Sequence, residues 1–118
     1  MGKIEIFFVN DEKYDHEILE FEAINKGFRN DIYVNIYDDY FQISAYHIQR
    51  LSQDYESEMK SYNYYAPKVN LILVPEVSKQ HIINVINKIY ENETYFKNIK
   101  PKENEIVSEL KRRNKKEG

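Results

Sequence analysis

Short alternating runs fill the first third of the chain and give way to three- and four-residue apolar spacings. Residues 3–9 (KIEIFFV) begin by alternation and end apolar, the pattern of a strand built from good β-formers. Asn10-Asp11-Glu12 supplies a turn. The run EILEFEAI, residues 17–24, sets Ile18, Phe21, Ala23 and Ile24 against Glu17, Glu20 and Glu22, and predicts a second strand with one irregularity. Asn25-Lys26-Gly27 is a turn signal, with Gly27 suited to positive φ. DIYVNIY, residues 31–37, places Ile32, Val34 and Ile36 on one face and Tyr33, Asn35 and Tyr37 on the other. Asp38-Asp39 closes that strand, and residues 40–43 predict a short fourth one in an antiparallel meander.

The period changes at Ser44, a candidate helix N-cap. Ile48, Leu51, Tyr55, Met59 and Tyr62 then predict a helix over roughly 45–60, with Gln49, Gln53, Asp54, Glu56 and Lys60 opposite. Phe41, Tyr55 and Tyr62 fit its apolar side and are expected in the core. After the polar-aromatic loop YNYYAPK, the run VNLILVPE (69–76) reads as a central strand. Pro75 ends its pairing or places it along an edge. Ser78 caps a second helix, KQHIINVINKIYEN, with Ile82, Val85, Ile86 and Ile89 inward. Tyr95 and Phe96 are expected to pack back on the body. Beyond Pro101 a third helical pattern has Ile106, Val107 and Leu110 as anchors and frays past Arg113.

The order β-β-β-(β)-α-β-α-α predicts an α+β fold: an antiparallel sheet of about four to five strands with two to three helices packed on one face. Residues 1–118 form one domain, with 101–118 as its C-terminal helix. A length of 118 residues and 42% apolar content suffice for one modest core. Tyrosine departs from the ordinary: the chain has 11 and no tryptophan. Tyr combines a large apolar body with a polar tip, which suits core edges and protein interfaces alike. The absence of cysteine removes disulfides and thiolate metal sites and fits a reducing compartment. With no signal-peptide core and no apolar run longer than LILV (71–74), the expectation is a soluble, cytoplasmic protein without membrane contact.

Charge is unevenly distributed. Residues 1–66 hold 13 Asp/Glu against 6 Lys/Arg, a net of −7, while residues 97–118 hold 8 Lys/Arg against 4 Asp/Glu, a net of +4. An acidic body repels phosphate backbones and attracts basic partners.

These residues admit three chemistries. Asp38-Asp39 with His47 could form a hydrolytic or metal site. Adjacent strand residues point to opposite faces, however, so a turn between strands is the plainer reading. His47 has Arg50 and Leu51 at i+3 and i+4, and His81 has Asn84 and Val85, so neither offers a metal-ligand spacing. His16 sits between Asp15 and Glu17 with the same result. None of the serines lies in a G-x-S-x-G elbow, and the three glycines make no phosphate-cradling loop. A non-enzymatic protein with no catalytic residue, cofactor or metal is expected.

Nucleic-acid binding is suggested by the tail KRRNKK and by tyrosines able to stack on bases, yet cations at a helix C-terminus also satisfy the macrodipole. The remaining feature alternates acids with rings. Asp38, Asp39 and Tyr40, then Asp54, Glu56 and Glu58, then Tyr64 and Tyr65 can form a negatively charged, tyrosine-rich docking face. A merely solvated acidic helix stands beside that reading.

The blocks YDDYFQISAYHIQRLSQDYESEM, VNLILVPEVSKQHIINVINKIYENETYF and NIKP, covering roughly residues 37–101, resemble the small immunity proteins of bacterial contact-dependent growth inhibition and polymorphic-toxin systems. The shared pattern is Gln53-Asp54-Tyr55-Glu56 on a helix, Val74-Pro75-Glu76-Val77 after a strand, and Ile89-Tyr90-Glu91 before the aromatic pair Tyr95-Phe96. Pro75 is a departure from it. The resemblance implies a cytoplasmic antitoxin that binds the C-terminal domain of one cognate toxin, a basic nuclease, and blocks its active site or substrate surface. The alternative is a small nucleic-acid-associated or phage-type regulatory protein using the basic tail.

Overall fold

Four strands form one sheet in the order β1-β2-β3-β4 in the computed structural model, which describes residues 4–92 and 94–117. Lys3 and Gly118, the outer ends of the first predicted strand and last predicted helix, lie outside the described residues. The elements are β1 (Ile4–Phe8), a 3-10 turn (Val9–Glu12), α1 (His16–Lys26), β2 (Phe28–Ile36), β3 (Asp39–Tyr46), α2 (Ile48–Tyr62), β4 (Leu71–Leu73), α3 (Lys79–Asn92) and α4 (Glu105–Glu117). β1, β2 and β3 are antiparallel neighbours, and β4 runs parallel to β3. The chain is therefore α+β, with a largely antiparallel sheet and helices packed on it.

The alternation of residues 31–37 sorts the core into two layers. Ile32 and Val34 of β2, with Phe41, Ile43 and Ala45 of β3, meet Ala23 of α1 and Ile82 and Ile86 of α3. Tyr33 and Tyr40 point to the other side, where Val107 and Leu110 of α4 cover them. The sheet thus carries α1 and α3 on one face and α4 on the second. Ser78 caps α3 as predicted, its Oγ accepting from His81 N at 3.3 Å. Phe96 packs on Phe41 with ring centroids 5.3 Å apart, and the Tyr95 hydroxyl reaches the Leu71 carbonyl at 3.4 Å. Burial pushes that phenol up to about 12.

Three sequence expectations are corrected. Residues 17–24 form helix α1, not a strand. Asp15 accepts from the backbone N–H groups of Glu17 (2.9 Å) and Ile18 (3.3 Å), and Gly27 at φ 69° closes the last turn. These caps satisfy both helix ends, and the alternation was broken enough to fit a helix equally well. Ser44 is not a helix cap but a buried residue of β3, because pairing with β2 and then β4 extends that strand to Tyr46. Helix α2 starts at Ile48, capped by His47, whose Nδ1 accepts from Gln49 N at 3.1 Å. The predicted central strand over 69–76 is the three-residue edge strand β4. It ends where Val74 N bonds to the Tyr46 carbonyl (2.9 Å), just before Pro75 removes the next donor.

Candidate docking face on α2

Helix α2 is ordered at both ends by local bonds. His47 caps its start, and Asn63, at φ 62°, returns its N–H to the Met59 carbonyl at 3.0 Å. Its foot is held by Arg50. The guanidinium donates to Asp54 Oδ1 (3.1 Å) and to the Lys26 carbonyl (3.2 Å), and lies 5.4 Å from the centre of the Phe28 ring. Phe28 in turn packs on Tyr46 at 4.8 Å.

Beyond that foot the helix has no buried residue. Ile48, Tyr55 (51% exposed) and Tyr62 (66% exposed) recur every seven positions and form one outward stripe. On the helical wheel, Arg50, Leu51, Asp54, Glu58 and Met59 are the partly covered positions, so α2 turns charged residues as well as Leu51 and Met59 toward the body. Tyr55 and Tyr62 are corrected on this ground from core to surface. Phe41 is buried as expected.

The candidate residues divide into three groups. Asp54, Glu58 and Tyr65 come together: burial first, then the charges of Asp54 and Glu58, raises the Tyr65 phenol above its ordinary value. Burial likewise raises the Tyr46 phenol, helped by Tyr65 and Asp54. Both phenols stay protonated and able to donate at neutral pH. Glu56 stands exposed on the other flank of the stripe, and Tyr64 is 66% exposed in the following loop. Glu56 and Glu58 make no ion pair among the described residues.

Asp38 and Asp39 form a second, separate place. They belong to the β2–β3 hairpin, where Tyr37 and Asp38 occupy the two central positions with φ of 50° and 68°. This is a two-residue turn of type I′ geometry, so the turn reading of the acid pair holds. Asp39 begins β3 while α2 follows its last residue, about 23 Å along the strand. Asp38→Gly relieves a left-handed non-glycine residue and is expected to raise stability by about 0.5–1 kcal/mol, read as an increased urea midpoint.

Tyr40 leaves the face altogether. It is 1% exposed, lies 6.1 Å from Phe7 and sits beneath α4. Strand alternation directs it opposite to Phe41, and α4 covers that side.

Two features escaped sequence reasoning. Ile18 and Phe21 form an exposed apolar pair on α1, which a strand reading of residues 17–24 hides, and Tyr14 is exposed just ahead of the helix. An ion cluster centred on buried Arg29 and Asp31 also takes in Asp11 and Lys79, which no local spacing connects to that pair. Comparison with protein-family models, with curated proteins and with solved structures finds no match.

Proposed function

We propose that this protein is an immunity protein of a bacterial contact-dependent growth inhibition or polymorphic-toxin system. It acts in the cytoplasm, without catalysis of its own. It binds a cognate toxin domain, a nuclease with a basic cleft, and neutralises it by covering the active site or substrate surface. The observation that carries this reading is α2, a fifteen-residue helix with no buried residue. Isolated helices of that length are marginal in water, and most draw their stability from packing an apolar stripe. Here the stripe of Ile48, Tyr55 and Tyr62 faces outward between Glu56 and Glu58. A basic, partly apolar surface would supply both the missing packing and the missing counter-charge, with tyrosines adding contact area at small entropic cost. Tyr64 extends the same surface, Asp54 and Tyr65 border it where α2 meets the body, and Asp38 and Asp39 offer a second point of contact on a large partner.

The test is co-expression of the tagged protein with the toxin-like segment encoded immediately upstream of its gene. A tight one-to-one complex that rescues cells from that segment is expected. The double reversal Glu56→Lys/Glu58→Lys is expected to weaken it at least tenfold while leaving the unfolding midpoint unchanged. A harmless upstream segment that does not co-purify would overturn the reading. Reversals that bind like the parent would move the interface to the exposed apolar pair of α1 beside Glu17.

The same reasoning fixes an expectation for dynamics. In the free protein, amides of residues 48–62 should exchange with deuterium far faster than those around buried Ile82 and Ile86 in α3, and should slow at least tenfold in the complex. Equal protection of α2 and α3 in the free protein would mean that α2 needs no partner.

A further inference from the structure

A groove of about 720 Å³ lies against β3 at Gln42, between the chain entering β4 and the chain linking α3 to α4. Lys68 stands on one wall, and Lys100 and Lys102 on the other. Each of the other three described cavities is lined by at least one carboxylate; this one has none. In a chain of net charge −3, that is a local reversal of sign. None of the three lysines makes an ion pair among the described residues, although Glu103 adjoins Lys102 in sequence.

The walls are fixed by hydrogen bonds to β3. Lys102 N donates to the Tyr40 carbonyl at 2.7 Å. Across the groove, Ser44 N donates to the Asn70 carbonyl at 3.1 Å, and Asn70 Nδ2 donates to the Gln42 carbonyl at 2.7 Å. Ile99, between Asn98 and Lys100, is buried in the main core, so the second wall is anchored from below as well. The lysine side chains are long, but the backbone that carries them is held in place.

The lining combines three kinds of group. Ammonium groups suit phosphate oxygens, the exposed amide of Asn98 can bond a base edge, and Val69 with Pro101 presents apolar surface to a ring face. The cavity volume falls in the range that holds one drug- or nucleotide-sized molecule. Charge without carboxylates, together with an apolar patch, distinguishes this site from the basic C-terminal tail, which offers charge alone. We propose that this groove binds a nucleoside phosphate, either free or as one unit of a single strand. The inference is independent of the role given to α2.

Fluorescence anisotropy of a labelled ten-residue oligo-uridylate with the full-length protein, at 20 and 200 mM NaCl, tests it. Competition with unlabelled adenosine and uridine monophosphates separates the two sources of ligand. Binding that weakens with salt is expected, with Lys68→Gln/Lys100→Gln/Lys102→Gln reducing affinity at least tenfold. The same triple change should lower the logarithmic salt slope by about 2, since each phosphate contact to a single strand contributes about 0.7. Lys100→Gln alone should lie between, and Lys88→Gln on α3 should bind like the parent. Displacement by monophosphates assigns the groove to free nucleotides; retention of the strand against them assigns it to a strand. Absence of binding at 20 mM salt overturns the proposal. So does binding that survives the triple change but is lost on Lys111→Gln/Arg112→Gln/Lys115→Gln/Lys116→Gln, since that places the contact in the tail.

Discussion

Arg29→Ala is expected to destabilise the protein by about 3–5 kcal/mol, the cost of removing one partner from a buried ion pair. The guanidinium grips Asp31 with two hydrogen bonds, Nε to Oδ1 at 2.6 Å and Nη2 to Oδ2 at 3.0 Å. It also donates to Asp11 Oδ1 at 2.9 Å. The Arg29 and Asp31 side chains are 5% and 6% exposed. Arg29 lies 4.6 Å over the Phe8 ring, and Lys79, which pairs with Asp11, lies 5.5 Å from the same ring. Without Arg29, Asp11 keeps Lys79, but Asp31 loses its cation and retains the backbone N–H of Asn10 at 3.0 Å. A domain with about 5–15 kcal/mol of total stability would lose a large part of it. Arg29→Lys keeps the charge but loses the fork that fits Asp31, so its cost should fall between wild type and alanine. Urea midpoints measure all three, and a loss below about 1 kcal/mol for Arg29→Ala would mean that water takes the place of the guanidinium.

The cluster also sets an acid dependence. Burial pushes the Asp11 carboxyl up, but hydrogen bonds from Lys79 and Arg29 and their charges outweigh burial and hold it below the usual carboxylate value. For Arg29 burial works downward, while Asp31 and Asp11 more than reverse it, so the guanidinium stays charged throughout. A depressed carboxyl contributes stability that is present above its unfolded value of about 3.9 and is lost as pH falls through its folded value. The parent should therefore lose stability as pH drops below about 4, and Arg29→Ala should lose less of it over the same window, having lost one of the two cations beside Asp11. Parallel urea titrations at pH 3, 4 and 6 would read the difference. Equal acid losses in both proteins would count against the assignment to Asp11.

Tyr40→Ala carries the second large effect, about 3–5 kcal/mol, as for other large buried aromatics. Tyr40 and Tyr33 form the floor on which Val107 and Leu110 seat α4. Lys102 N, one turn before that helix, is tied to the Tyr40 carbonyl. Truncation leaves a cavity directly under α4, and the melting temperature should fall by about 10–20 °C. Proteolysis should then cut first between residues 102 and 105. Tyr64→Ala, by contrast, removes a ring already in solvent and should change stability by no more than about 0.5 kcal/mol. If the two tyrosines exchanged these behaviours, the assignment of Tyr40 to the core beneath α4 would be wrong.

Among the candidate residues, adjacent pairs in sequence met different fates. Asp38 and Asp39 lie where their turn composition placed them, because hairpin geometry is decided within four residues. The one-residue step from Tyr40 to Phe41 reverses the side of the sheet, and only the position of α4 shows that both sides are covered. Asp54, Glu58 and Tyr65 were grouped by composition, and the return of the 63–66 loop onto α2 brings them together. Tyr55 and Tyr62 have the spacing of core residues. Spacing identifies a stripe but not the direction in which the helix turns it, and here Arg50, Asp54 and Glu58 join Leu51 and Met59 on the side toward the body.

What local chemistry dictated was readable from one end of the chain to the other: the alternation of residues 31–37, the Ser78 cap of α3, the stop imposed by Pro75, and the α+β class that follows from their order. Each depends on neighbours within four or five positions, whose conformational preferences act before any fold exists. The helical state of residues 17–24, the edge position of β4, the burial of Tyr40 and the Asp11–Arg29–Asp31–Lys79 cluster depended on partners up to 68 residues apart. Packing and desolvation select among locally equivalent choices there, and those energies come into being only once the sheet has brought the partners together.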